Sequence, residues 1–155
     1  MSTSPGDTRA LGQQLVPLLR EGDVLLLSGD LGAGKSEFCR GLARGLGIEG
    51  PIPSPSFTIL NLYQSGSMPL KHFDWYRIHS PEELYESGLD EQIGGDGITA
   101  IEWHAQAPEL LPADCLEVQL QPVEGDASKR RISLLPRGQF RRLDWPGTQA
   151  KEDSP

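Results

Sequence analysis

The sequence predicts an α/β fold, and three observations carry that prediction. A short apolar run, Val24 to Leu27, leads through a glycine-rich turn into a segment of helical periodicity. Strand-like runs recur downstream, at Phe57 to Leu62, Leu70 to Tyr76 and Ile98 to Trp103, broken by turn residues and by a helix start near Ser80. Two late runs, Leu116-Val118-Leu120 and Ile132-Leu134, alternate apolar and polar residues with the period of two expected of paired antiparallel strands.

Taken in order, Ser4-Pro5-Gly6-Asp7 has the form of a helix start, with a capping hydroxyl, proline in the first turn and an acid three residues on. Leu11, Leu15, Leu18 and Leu19 then form one apolar stripe, which Pro17 must kink or end. This helix, just ahead of the first strand, either lies with its start over a nucleotide base or serves packing alone. Val24 to Leu27 is short and apolar enough for a strand buried on both faces. Phe38, Leu42 and Leu46 fall on one helical face, and Gly47 is a natural stop. Three prolines between Pro51 and Pro55 exclude a helix and fix an extended loop. Gln64 to Ser67 is a turn, so the runs on either side of it form a hairpin. Ser80-Pro81-Glu82-Glu83 is a capping box that opens a short helix ended by Gly88, and Gly94 to Gly97 is a tight turn before the next strand.

Between the first strand and the first long helix, Gly29-Asp-Leu-Gly-Ala-Gly34-Lys35-Ser36 matches the phosphate-loop pattern G-x-x-x-x-G-K-[ST] in full. Gly29, Gly32 and Gly34 let the backbone turn its N–H groups toward anionic oxygens. The helix behind them adds its own free N–H groups and the positive end of its dipole. Lys35 is placed to reach β- and γ-phosphates, and the Ser36 hydroxyl to complete the shell of a Mg²⁺ ion. Strand, loop, lysine, hydroxyl and helix follow in the required order, which a turn that binds nothing would not need.

Such a loop requires an acid to help hold the metal and a group to orient the attacking water. Two strand-end acids compete, Asp74 after Leu70-Lys-His-Phe73 and Glu102 after the more apolar Ile98-Thr-Ala-Ile101. By that context Glu102 is the better metal-side acid and Asp74 the better orienter of water, with the opposite assignment still open. Thr58, behind the proline-rich loop, suits a switch threonine that senses the γ-phosphate, or else a strand. His72 is a candidate base or a packed histidine. Arg77 either offsets phosphate charge or pairs with Glu82 or Glu83. Trp103 either stacks on the base or belongs to the core.

At 155 residues the chain is expected to be one domain, residues 1–142, followed by a tail, 143–155, that loses its apolar pattern and is expected to be disordered. No apolar run approaches membrane-spanning length, and Cys39 and Cys115 read as separate reduced core residues, so the expected location is the cytoplasm. A net charge of −8 argues against a tight grip on free nucleic acid. Six of the 14 basic residues nevertheless gather at Lys129, Arg130, Arg131, Arg137, Arg141 and Arg142, where a solvated strand edge and tail is favoured over a docking patch. No N-K-x-D motif occurs, which disfavours GTP. A small-molecule P-loop kinase remains the alternative, although no arginine-bearing lid is visible between Gly88 and Leu111.

The succession GDLGAGKS (Gly29 to Ser36), PSPSFT (Pro53 to Thr58), HFDWYRI (His72 to Ile78) and IEW (Ile101 to Trp103) resembles the TsaE (YjeE) family of tRNA threonylcarbamoyladenosine biosynthesis ATPases, over roughly Thr8 to Leu135. The resemblance implies a P-loop NTPase fold, with a central parallel sheet, added antiparallel strands and flanking helices. It further implies ATP and Mg²⁺ as cofactors, weak intrinsic hydrolysis, and support of the TsaD and TsaB proteins that install threonylcarbamoyl on adenosine 37 of tRNA. By this likeness Leu31, Gly32, Ala33, Gly34, Lys35 and Ser36 wrap the phosphates, Ser36 and Glu102 hold Mg²⁺, Asp74 lies in the catalytic site and Thr58 in a switch-like loop. The chain departs from the family pattern at Ser36, Glu37, Ser56 and His104-Ala105; of these, Glu37 adds charge beside the phosphates.

Overall fold

The computed structural model describes residues 1–145; residues 146–155 of the expected tail lie outside the described part. Ser4 caps α1 (Pro5–Leu15) as its sequence predicts, its Oγ accepting the Asp7 N–H at 3.1 Å. Pro17 ends regular helix early, and α1 gives way to one 3₁₀ turn, Val16–Leu18. The chain then enters β1 (Val24–Ser28), passes the glycine-rich loop and forms α2 (Lys35–Gly45). After it come the hairpin β2 (Leu60–Tyr63) and β3 (Leu70–Asp74), the short α3 (Glu82–Ser87), β4 (Ile98–Glu102), and the long pair β5 (Cys115–Val123) and β6 (Asp126–Arg137).

The six strands form one sheet in the order β2-β3-β4-β1-β5-β6. β3, β4, β1 and β5 run parallel, and β2 and β6 add antiparallel edges. β5 thus has two roles: it pairs antiparallel with β6, as its alternation predicts, and also closes the parallel core beside β1.

Side-chain alternation divides the apolar residues between two cores. Leu25 and Leu27 of β1, with Ile98 and Ala100 of β4, face α1 and α2, where Leu15, Phe38, Leu42 and Leu46 are buried. Val24, Leu26 and Ile101 face the other way, onto Phe73, Trp75, Ile78 and Leu84. Cys39 and Cys115 are both buried, one in each core. The helices α1 and α2 meet backbone to backbone: a Cβ on Gly12 would run into the Phe38 carbonyl oxygen, and one on Gly41 into that of Arg9.

Four local expectations are corrected. β2 starts at Leu60, and Phe57 and Thr58 lie in a turn that the prolines before them force back toward the sheet. That turn closes through the Ile59 N–H donating to the Pro55 carbonyl at 2.9 Å, with Ile59 at φ 69°. β3 stops at Asp74 and β4 at Glu102, each before its aromatic neighbour. No side chain caps α3, because Pro81 already has helical angles; Glu83 instead reaches back one residue further, its Oε1 accepting the His79 N–H at 3.3 Å. The boundary expected at residue 142 falls short, since Leu143 packs on the first core and Trp145 is only 2% exposed. Arg141 pins this segment down through Asp23 at 2.7 Å and the Leu18 carbonyl at 2.8 Å, which lets the Trp145 Nε1–H reach the Leu11 carbonyl.

The basic cluster near the C-terminal end lies on and beyond edge strand β6. Arg137 pairs with Glu117 at 2.8 Å, Arg141 with Asp23, and Lys129 with Asp126 at 3.7 Å. Charge along an edge strand discourages pairing with another chain.

Trp145→Ala removes a buried indole from the first core and is expected to cost about 3 kcal/mol, within the usual range for such truncations. Urea unfolding checks it; a midpoint equal to that of the unaltered chain contradicts the placement of Trp145.

Candidate functional site

Parallel register builds the site. Leu27 of β1 lies opposite Glu102 of β4, and Glu102 opposite Asp74 of β3, so both acids end their strands two residues short of Gly29, where the glycine-rich loop begins. In an open α/β sheet this is the edge where ligands bind. Gly34, at φ 106°, turns the chain directly into α2, a conformation that a Cβ would strain. Lys35 and Ser36 are therefore presented from the first turn of the helix toward the two carboxylates.

Lys35 is 5% exposed; its Nζ donates to the Gly29 carbonyl at 2.5 Å and lies 3.7 Å from the centre of the Trp103 ring. Burial draws its ammonium below the ordinary value, opposed by the charges of Glu102, Asp74 and Asp30. The Ser36 hydroxyl donates to Glu102 Oε2 at 3.4 Å. The same Oε2 lies 2.7 Å from His72 Nε2, and both side chains are buried. His72 Nδ1 has no partner among the described residues.

Asp74 accepts the Tyr76 N–H at 2.9 Å on one oxygen and the Ser56 hydroxyl at 3.4 Å on the other. Desolvation raises its carboxyl above the ordinary value, and the charge of Glu102 acts in the same direction. Cys39 Sγ, His72 and Glu102 offer ligand atoms within 4.8 Å of one another. Burial pushes the Cys39 thiol well up, so it stands there as a neutral apolar wall and not as a thiolate. Ser36 and Glu102, two oxygen donors facing each other, are the pair suited to a hard cation such as Mg²⁺.

The structure thus brings Lys35, Ser36, Glu102 and Asp74 together. In the loop before them Leu31 and Gly32 are exposed and Ala33 is buried. Thr58 is elsewhere: it is exposed, and its hydroxyl donates to Asn61 Oδ1 at 2.8 Å, while Ser56 takes the position against Asp74. Trp103, at φ 59°, packs on Lys35 and on Tyr76, whose ring centre is 4.9 Å away. Arg77 lies over the Phe57 ring at 4.4 Å and is exposed.

On the α1 side of the loop a cavity of about 320 Å³ is lined by Ser2, Ser4, Thr8, Gly32, Ala33, Gly34, Glu37 and Arg130, among others. Sequence reading anticipated the helix start as one wall but missed Ser2 and Thr8. They are set by a bridge in which Ser2 and Arg130 exchange backbone hydrogen bonds of 2.8 and 2.7 Å, and by a 2.7 Å contact between the Ser2 and Thr8 hydroxyls. A pairing across so many residues leaves no local signal. Trp103 is not among the residues lining this cavity.

Comparison with known proteins agrees with this architecture. Residues 2–132 match the family model "TsaE: Threonylcarbamoyl adenosine biosynthesis protein TsaE". The tRNA threonylcarbamoyladenosine biosynthesis protein TsaE of Bacillus subtilis is 39% identical over 125 residues, covering 81% of this chain and 78% of that protein. Its namesake in Synechocystis is 50% identical over 105 residues, 64% of this chain and 65% of that protein. The crystal structure of YdiB from Bacillus superposes with a TM-score of 0.68 at 37% identity, covering 81% of this chain and 76% of that one.

A raised Asp74 carboxyl means that the folded protein holds this proton more tightly than the unfolded chain does. Its charged form therefore costs stability above the folded value, and the cost fades as pH falls through that value. Asp74→Asn, which keeps an acceptor for the Tyr76 N–H, is expected to melt at a higher temperature than the unaltered chain at neutral pH, with the gap closing in acid. Thermal melts between about pH 7 and pH 4, bracketing the usual carboxylate range, read this directly; a gap that widens in acid reverses the sign.

Proposed function

This chain belongs to the TsaE family of threonylcarbamoyl adenosine biosynthesis proteins, and from that premise we propose that it is a P-loop ATPase of the cytoplasm. Its role is to support the TsaD and TsaB proteins that install threonylcarbamoyl on adenosine 37 of tRNA. The observation that carries the ATPase reading is the meeting of the glycine-rich loop with two strand-end acids, Ser36 Oγ lying 3.4 Å from Glu102 Oε2 with Asp74 on the next strand.

The residues divide the work. Leu31 to Ser36 cradle the phosphates, with backbone N–H groups and the start of α2 facing their charge. Lys35 leaves its contact with the Gly29 carbonyl for the β- and γ-phosphates, a partner that restores the charge balance burial disfavours. Ser36 and Glu102 hold Mg²⁺, which when bound neutralises charge on the phosphate oxygens. Asp74, raised by desolvation and tethered by Tyr76 and Ser56, orients the attacking water. The cavity between the start of α1 and β6 takes the nucleoside. Thr58 keeps its switch role only if the turn at Phe57 and Thr58 moves toward the γ-phosphate, and Trp103 serves the site by seating Lys35.

A small-molecule kinase is the alternative, but the stretch from Gly88 to Leu111 contains no arginine or lysine to cover the phosphates. Among the described residues no helix is long and apolar enough to cross a membrane.

Lys35→Ala is expected to lower ATP affinity at least about tenfold, through loss of the charged contact to the phosphates. Glu102→Ala should raise the Mg²⁺ needed for hydrolysis, and Asp74→Ala should slow turnover with little change in affinity. Nucleotide titrations and Mg²⁺-dependent rates test all three; the opposite pattern in the two acids exchanges their roles.

Association with the TsaD and TsaB proteins is expected to depend on ATP and to stimulate hydrolysis, while free tRNA binds weakly at physiological salt because the chain carries a net −8. Titration against those proteins with ATP, ADP or no nucleotide, and against tRNA alone, decides it. Tight binding to tRNA alone would overturn the assignment.

A further inference from the structure

Glu37 stands in the first turn of α2, directly after Ser36, and lines the cavity beside Gly32 to Gly34. A carboxylate here occupies the positive end of the helix that phosphate would use, and it repels a second anion nearby. Each of its oxygens is taken by a separate guanidinium: Arg9 Nη1 donates to Oε1 at 2.6 Å and Arg40 Nη1 to Oε2 at 2.9 Å. Arg40 is also tied to the Ile52 carbonyl through its Nε at 2.9 Å. Arg9 makes no other side-chain hydrogen bond among the described residues.

The origin of Arg9 is informative. It comes from α1, and the backbone contact between the Arg9 carbonyl and Gly41 fixes its Cα against α2. The guanidinium is thus delivered to the first turn of α2 by the close approach of two helices, not by a flexible loop. The pair is partly exposed, 39% for the Arg9 side chain and 28% for that of Glu37, so as a source of stability it is weak. Its position at the mouth of the phosphate loop gives it a different use.

We propose that Arg9 is a positioning residue for the nucleotide site: by holding Glu37 on the α1 side and adding a second positive charge to the Glu37–Arg40 pair, it lets a loop with an acid in its first helical turn accept a polyphosphate. The inference rests on the reading of Gly29 to Ser36 as a nucleotide site. Without Arg9, Glu37 keeps only Arg40: the cluster falls from a net charge of +1 to neutral, and the carboxylate is no longer held on the α1 side. The penalty then scales with phosphate charge and is screened by salt, which a loss of general helix contact would not be.

The test measures dissociation constants for adenosine, AMP, ADP and ATP with the full chain by calorimetry. Arg9→Ala is expected to weaken ATP about tenfold, as the loss of one positive charge across a partly screened gap of several ångströms would. ADP and AMP should lose progressively less, and adenosine less than about twofold on the same electrostatic argument. The loss should shrink at about 0.5 M salt, where screening is short-ranged. Arg9→Met keeps the aliphatic stem lying along the helix and should show the same loss, which separates charge from helix contact. Adding Glu37→Gln to Arg9→Ala should restore ATP binding. Equal losses for adenosine and ATP, or no recovery in the double variant, overturn the inference while leaving the nucleotide site intact. An unaltered chain that binds neither ATP nor ADP overturns the nucleotide reading and this inference together.

Discussion

Parallel pairing between β1 and β4 is the constraint on which everything else depends. Because Leu27 is held opposite Glu102, the chain leaves β1 and begins the glycine-rich loop beside a fixed carboxylate. A slip of one residue in that register would turn Glu102 into one of the cores and send Ile101 or Trp103 to its place. Val24, Leu25, Leu26 and Leu27 are all buried, two in each core, so β1 is held by packing on both faces. The apolar content of β1 and β4 therefore sets the chemistry as much as it sets stability. Asp74 follows from the same register one strand further out.

A second consequence concerns how so many charges coexist at the sheet edge. Lys35, Asp74 and Glu102 are all nearly buried, and unpaired burial of any one would be costly. They are kept by mutual attraction and by polar neighbours: Gly29 and Trp103 for the lysine, Tyr76 and Ser56 for Asp74, His72 and Ser36 for Glu102. The opposing influences on Lys35 and on Asp74 both have burial as the larger cause. Burial thus disfavours the charged form of both groups.

Most of the framework was legible in the sequence because its signals are local. The loop pattern, the Ser4 cap, the hairpin turn and the period-two strands are each written in fewer than a dozen residues. The misreadings have two causes, local backbone constraint at the prolines and tertiary contacts that no short window shows. Phe57 and Thr58 have strand-forming side chains, yet the preceding prolines and the Pro55–Ile59 turn leave them outside β2. Trp145 sits in a stretch without apolar pattern and is nevertheless buried, through an ion pair between Arg141 and Asp23 that no window would connect. The His72–Glu102 and Arg9–Glu37 contacts join residues 30 and 28 positions apart, so the chemistry of each acid was readable while its partner was not.

The stacking of Lys35 on Trp103 gives the molecule an optical property. Of its three tryptophans, Trp75 and Trp145 are sealed in separate cores, whereas Trp103 is half-buried under an ammonium that also touches the loop carbonyl. A cation over the indole face perturbs its excited state, and any ligand that draws Lys35 off the ring removes that perturbation. A ligand in the loop that drew Lys35 away would thereby report itself in the emission of one native fluorophore, against the background of the other two.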